Sequence, residues 1–410
     1  MRLPRIVNPR PFRFSHATSL VRALAVACMP VLPSLSWAAG TPASSASLAY
    51  QVDAAHAGAI TFSTPFAPPL RQLWSLDLGG PVSYPVVNGK LVSVLVSASS
   101  GSPRLTSLVT LNIANGKILW KRTVGTGYNY GHIASEGGKL FVALENGPVQ
   151  AFDAATGRPL WSTHLVVDST SVPVAPVAAG GFLYAAIGEA LYQIDEAKGA
   201  IVWKQFTDGG IGLTVGDGNV YMPVTCLATA VDIKTGNRVW HFDGGCEGGG
   251  AVTASFYNHR LYAPEVLFNF TGLTFIGSSG KLVDGFGGSI PAFDGASSYA
   301  ISAQDQPTTE RSLVATNVRT GNLRWAFTPQ DDPLFLPPIV INGNTYTLSN
   351  TGTLYINSGR TGLLLQKASI SVSGAVSSLA LPIAEWTGLG AGSGTLIVPS
   401  GSVLAAFGPQ

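Results

Sequence analysis

Side chains able to do chemistry are sparse in this chain of 410 residues, where Asp, Glu, Lys and Arg together make up 11%. His132, His164, His241 and His259 are widely separated, and none has the spacing of a metal-ligand set. No Gly-x-Ser-x-Gly elbow, phosphate loop or His-Glu-x-x-His is present. The run Gly244-Gly245-Cys246-Glu247-Gly248-Gly249-Gly250 has the composition of a phosphate cradle. It joins one strand-like run to another, however, and lacks the helix N-terminus that draws an anion to such a loop. Asp331-Asp332 supplies two carboxylates without further oxygen ligands in sequence, and it reads as a solvated turn before Pro333 rather than a calcium loop. No catalytic residue and no metal site is therefore expected. Cys226 and Cys246 are expected to pair as a disulfide, because Cys226–Asp232 and Arg238–Cys246 read as two arms of a hairpin turning at Lys234-Thr235-Gly236.

The elements that must position any site repeat along the chain. Leu111-Asn112-Ile113-Ala114-Asn115-Gly116-Lys117-Ile118-Leu119-Trp120 is followed by Phe152-Asp153-Ala154-Ala155-Thr156-Gly157-Arg158-Pro159-Leu160-Trp161. Further copies carry Gly199 with Trp203, Gly236 with Trp240, and Gly321 with Trp325. In each, an apolar arm ends in Asp or Asn, whose side chain can bond the backbone of the turn. Four residues on, Gly supplies the positive φ of a tight hairpin. Four residues beyond that comes Trp, a ring large enough to pack neighbouring sheets together. Degenerate copies place Asp284 and Gln366 at the Trp position, and Trp74 lies on a return arm with no outgoing arm before it. The marks at 74, 120, 161, 203, 240, 284, 325 and 366 are about 40 residues apart, the period of a propeller blade. Ser402–Phe407 is an outgoing arm without a return, the complement of the arm at Trp74. The expected fold is all-β: an eight-bladed β-propeller of four-stranded antiparallel blades, its ring closed by pairing of N- and C-terminal strands. In the second full repeat the strands are expected at Gly131–Ser135, Lys139–Leu144, Pro148–Asp153 and Arg158–His164, from the channel outward.

The Asp-x-x-Thr-Gly-x-x-x-Trp pattern resembles the tryptophan-docking repeat of the PQQ-dependent (quinoprotein) alcohol dehydrogenases. It also resembles the repeat of BamB-like proteins, the scaffolds of outer-membrane barrel assembly. The resemblance covers roughly residues 65–410 and speaks for architecture more than for activity. It implies, for catalytic members, an adjacent cysteine pair over the cofactor, a Trp floor beneath it, carboxylate and amide ligands to calcium, and an Asp base. Cys226 and Cys246 are not adjacent, so no catalytic residue carries over. No cofactor is expected on the leading reading; PQQ with calcium enters only on the alternative one.

Residues 1–38 read as a secretory signal. Arg2, Arg5, Arg10, Arg13 and Arg22 precede or open an apolar stretch, Ala23–Leu35, and Ser36-Trp37-Ala38 offers a cleavage site. Cys28 loosely matches a lipobox, but Arg22 leaves it almost no apolar run, so it is expected to leave with the signal. Without the five arginines, 19 basic residues face 22 acidic ones and no basic stripe remains, which argues against nucleic acid. Thr41–Ser47 is small and polar, and residues 39–64 read as a flexible leader, followed by the propeller at 65–410. No later segment is apolar enough to span a bilayer as a helix. The mature chain is expected to be a periplasmic or secreted monomer.

Any binding site is expected on the connections that gather at one mouth of the channel, on a rigid scaffold. These hold Tyr128, Tyr130 and His132; Glu247; and Asp331, Asp332 and Phe335. Aromatic rings beside polar groups suit recognition of a protein, peptide or envelope component. The alternatives are a PQQ-binding dehydrogenase or a degenerate relative, and a carbohydrate-binding propeller.

Overall fold

The structure is a computed structural model. It describes residues 44–98, 105–126, 131–144, 147–166, 174–207, 212–224, 227–245, 253–264, 271–303, 311–370 and 386–410. Alternating short runs and glycine turns produce eight antiparallel sheets. Blade 1 holds β3 (Val86–Asn88), β4 (Leu91–Ser97), β5 (Leu105–Asn112) and β6 (Ile118–Thr126). Blade 2 holds β7 (Gly131–Glu136), β8 (Lys139–Leu144), β9 (Pro148–Asp153) and β10 (Pro159–His164), close to the expected boundaries. Blade 3 holds β11 (Val177–Ala179), β12 (Phe182–Ile187), β13 (Ala190–Asp195) and β14 (Ile201–Phe206). Blade 4 holds β15 (Thr214–Gly216), β16 (Asn219–Val224), β17 (Leu227–Asp232) and β18 (Arg238–Asp243). Blade 5 holds β19 (Ser255–Tyr257), β20 (Arg260–Pro264), β21 (Thr271–Ile276) and β22 (Leu282–Gly287). Blade 6 holds β23 (Ala292–Asp294), β24 (Ser297–Ala303), β25 (Arg311–Asn317) and β26 (Leu323–Phe327). Blade 7 holds β27 (Ile339–Ile341), β28 (Asn344–Leu348), β29 (Thr353–Ser358) and β30 (Leu364–Ser369).

Blade 8 closes the ring. Its inner strands are β31 (Gly390–Gly392), β32 (Thr395–Ser400) and β33 (Val403–Pro409), and its outer strand is β2 (Leu70–Asp77) from the other end of the chain. Leu70 lies opposite Pro409 and Asp77 opposite Val403, so each orphan arm covers the other's open edge. Most of the core lies between adjacent blades, in patches of Val, Leu, Ile, Ala and aromatic residues.

Every outer strand carries a bulge just before its dock position, as between Pro159 and Trp161. A bulge re-aims the side chain that follows it. Here it delivers the ring to the next blade's hairpin turn. Trp120 lies over Gly157, so close that a Cβ there would sit 2.6 Å from the indole, and its N–H donates to Ala154 O at 3.1 Å. Trp74 over Gly116, Trp161 over Gly199, Trp203 over Gly236, Trp240 over Gly280 and Trp325 over Gly362 repeat the arrangement. The turns hold the expected cap: Asp153 Oδ1 accepts from both the N–H and the hydroxyl of Thr156, and Asp232 does the same with Thr235. Gln366 replaces Trp where blade 8 has no such turn, and its amide instead bonds both the N–H and the C=O of Leu70, at 2.7 and 2.8 Å.

Glu196, whose carbonyl receives the Trp161 indole N–H, is buried beside Glu136 and 3.7 Å from Lys139 Nζ. Burial first, and then the Glu136 carboxylate, push Glu196 up to about 8; Lys139 only partly offsets them. A folded-state value above the unfolded one favours folding fully at acid pH, with the benefit lost as pH rises through the folded value. Stability should therefore fall between about pH 4.5 and 8. Glu196→Gln should flatten that decline in urea melts run across the range.

A second test isolates the dock. Gly157 and Gly89 both have positive φ, 67° and 58°, but a Cβ at Gly89 meets nothing within 4 Å. Both alanine variants should suffer left-handed strain of about 1–3 kcal/mol. Gly157→Ala should lose roughly 1–3 kcal/mol more, from overlap with Trp120. Equal losses would mean that the indole does not press on the turn.

Candidate functional site

Residues 44–64, expected to form a flexible leader, are instead built into the centre of the ring. Inner strands present a free edge of backbone N–H and C=O groups to the channel, and such groups need partners when buried. The segment supplies them. Ser47 N–H donates to Ala391 O in blade 8 at 2.7 Å. In return, carbonyls of the segment accept from the inner strands: Ser47 from Val87, Leu48 from Ser135, Ala54 from Val215, Ala55 from Phe256, Ala57 from Phe293 and Gly58 from Val340. The short strand β1 (Ala59–Ile60) then runs parallel to β27, with Ala59 opposite Val340. Seven of the eight blades are bonded in this way. Small side chains make the close approach possible: Gly58 has φ 66°, and a Cβ on it would lie 2.6 Å from that of Ala292.

A turn at Ala49–Asp53 inserts larger groups. Tyr50 is buried with its ring edge-on to Tyr84, centroids 5.3 Å apart. His56 is buried beside it, with Nδ1 against Tyr50 O and Nε2 2.8 Å from Leu213 O. Burial pushes the imidazole down to about 4, and the neutral ring can donate to one of those carbonyls at a time. Asp53 Oδ1 accepts from Ala55 N–H and Ala57 N–H, and burial pushes its carboxyl up to about 6 in spite of those bonds.

His132, expected at the channel mouth, is on β7 with its ring fully buried and stacked on Tyr84, centroids 6.3 Å apart at 27°. The Tyr84 hydroxyl donates to Ile133 O and accepts from Ile133 N–H. Asp332 sits in a nest of hydroxyls on its own side of the ring: Thr351 donates to Oδ1 at 2.5 Å and Tyr355 to Oδ2 at 2.7 Å. Burial works to raise this carboxyl, but the hydroxyls of Thr351, Tyr355, Ser349 and Thr353 outweigh it and hold it below the usual range. Asp331 is an exposed turn residue with φ 54°, and Phe335 packs against the core between blades 7 and 8. The structure thus does not bring these three together with His132 into one mouth site. Tyr128, Tyr130, Glu247, Cys226 and Cys246 lie outside the described residues. Among the described residues no group of three or more His, Cys, Asp or Glu is placed to hold a metal ion.

Tyr50, Asp53, His56 and Tyr84 were not singled out from sequence. The usable signal was Tyr50 and His56 set among alanines, with Asp53 the sole charge between residues 44 and 64.

A family model described as outer membrane protein assembly factor BamB matches residues 104–241 and 145–284. The crystal structure of BamB from Moraxella catarrhalis superimposes with a TM-score of 0.61 at 19% identity, over 83% of this chain and 99% of that one. The chain is an eight-bladed β-propeller, and over the residues that the family model matches its repeat is similar to the PQQ-like one. A quinohemoprotein alcohol dehydrogenase from Comamonas testosteroni gives a TM-score of 0.67 at 13% identity, over 88% and 80% of the two chains. A europium-containing methanol dehydrogenase gives 0.65 at 13% identity, over 89% and 98%. At such identities these structures speak for the fold alone. In sequence, tetrathionate hydrolase of Acidithiobacillus ferrooxidans is 28% identical over 152 residues, covering 32% of this chain and 30% of that one. The chain thus spans under a third of the length of that curated relative.

PQQ-like propellers of the dehydrogenase kind imply a quinone cofactor with calcium. The described residues at the centre of this propeller do not fit that pair. The axis is taken up by Ser47–Gly58, and the carboxylate there, Asp53, turns its Oδ1 to backbone amides of its own segment.

The segment should be separable from the ring. Gly58→Val adds both left-handed strain, about 1–3 kcal/mol, and a clash with Ala292. Limited proteolysis of this variant should cut within residues 44–64 before any blade, whereas the parent should resist there. Equal protection in both would refute the seating described.

Proposed function

We propose that this PQQ-like propeller is a non-catalytic binding or scaffold protein of the cell envelope, periplasmic or secreted, that recognises a protein or peptide. The observation that carries this reading is the occupation of the channel by the chain's own residues 47–58. A propeller that fills its axis leaves its rim and loop faces for recognition. The outer strands support the same reading, because Ile118, Leu119, Ile201, Val202, Leu364 and Leu365 are apolar and exposed. These pairs sit on the outer strands of blades 1, 3 and 7, so several outer edges of the ring offer apolar groups to a partner. The match to the BamB family model is in keeping with a partner in envelope assembly.

A second reading, a hydrolytic propeller, is favoured by the match to tetrathionate hydrolase. One experiment separates the readings. Purified protein is titrated with PQQ and calcium while tryptophan fluorescence is followed, assayed for tetrathionate consumption, and crosslinked in an envelope extract. The expected result is no saturable quenching, no turnover and a discrete crosslinked adduct. Saturable PQQ binding with dye-linked alcohol oxidation, or tetrathionate turnover, would overturn the scaffold reading.

A further inference from the structure

Six of the inter-blade docks share three parts: a turn glycine with φ between 66° and 74°, a tryptophan lying on it, and a carbonyl three residues before that glycine which accepts the indole N–H. The interface between blades 5 and 6 keeps two of them. Gly321 has φ 69°, and the equivalent carbonyl belongs to Val318. The ring is missing. Asp284 stands at its position, after the same bulge, with Oδ1 accepting from Gly285 N–H and Oδ2 3.8 Å from where a Cβ on Gly321 would be. Among the described residues nothing donates to Val318 O. A cavity of about 210 Å³ remains, walled by Tyr262, Phe286 and Val318, with Asp284, Arg260 and Arg319 on its lining. None of these three charges has an ion-pair partner among the described residues.

Unlike Gln366, which replaces Trp where there is no turn glycine to cover, Asp284 makes no bond to the neighbouring blade among the described residues. It leaves an intact dock vacant and adds a charge to it. We propose that this gap is a binding site for an indole amino acid, whose ring takes the position that the repeat's own tryptophan holds elsewhere. The lining of the gap fits each group of such a ligand. Gly321 accepts the ring face, as its six counterparts do. Val318 O accepts the indole N–H. Asp284 draws the ammonium, and Arg260 and Arg319 draw the carboxylate. The opposite charges on one small lining match a zwitterion better than a simple acid or amine.

The test is calorimetric titration of the full protein with free tryptophan, N-acetyltryptophan, tryptamine and indole-3-propionate. Tryptophan should bind saturably, and each analogue, lacking one charge, should bind about tenfold or more weakly. N-acetyltryptophan binding as well as tryptophan would overturn the free amino acid in favour of a peptide-borne ring. Asp284→Trp should fill the gap, abolish tryptophan binding and raise Tm. Asp284→Asn fills nothing, and should weaken tryptophan about tenfold while leaving indole-3-propionate no weaker. Absence of saturable tryptophan binding by the parent, or unchanged binding in both variants, would overturn the proposal. Neither result bears on whether the protein is a scaffold, since tryptophan binding is measured without a partner.

Discussion

The contact on which the ring depends is an indole pressed onto a glycine. Eight sheets around an axis have no continuous backbone hydrogen bonding between them, so the angle from one blade to the next must be set by side chains. Each tryptophan does this twice over, by lying flat on a left-handed turn that has no Cβ and by donating its N–H to a carbonyl of that turn. A bulge ahead of the ring swings it out of its own sheet. The two departures follow from the same geometry. Gln366 faces the one blade whose third and fourth strands come from opposite ends of the chain, so there is no turn to cover, and an amide bonding Leu70 on both sides does the work of the ring. Asp284 faces an ordinary turn and leaves it bare.

The axis has a different constraint. Inner strands converge there with unpaired backbone groups, and something must satisfy them. In this protein the chain does so itself: Ser47, Leu48, Ala54, Ala55, Ala57 and Gly58 bond inner strands of seven of the eight blades. Most of these residues are small, and at Gly58 a Cβ would already lie 2.6 Å from that of Ala292. The cost is borne by the two titratable groups carried in with the segment, His56 and Asp53, which burial shifts in opposite senses, both towards neutrality. With that segment along the inner strands, the outer surfaces and the gap between blades 5 and 6 stay open among the described residues.

The blades were legible in the sequence because their signals are local. The Asp or Asn cap, the turn glycine and the tryptophan fall within ten residues of one another, and in blade 2 the strand boundaries follow from them to within a residue. Ring closure was legible too, since an unmatched return arm at Trp74 and an unmatched outgoing arm at Val403–Phe407 are complementary. The channel segment was not. A run of Ser and Ala residues has no period and no large apolar face, and its partners are 40 to nearly 350 residues away. The same composition that marks a loose leader in isolation is what a strand needs to lie against crowded inner edges.

The residues singled out for function show the same division. Sequence alone determined that the chain is a closed ring of eight repeating sheets, most with a turn glycine and an outer-strand tryptophan, because those are short-range signals of one hairpin; that each docking tryptophan lies on the next blade's glycine was decided in space. Only the tertiary structure showed that His132 is buried against Tyr84, that Asp332 is held by the hydroxyls of Thr351 and Tyr355, and that Ser47–Gly58 lies along the inner strands. Only it showed that Asp284 opens a gap between blades 5 and 6. A substitution in a repeat reads in sequence as mere decay. Whether it leaves a void depends on what the next blade presents to it, and that is settled in space, not along the chain.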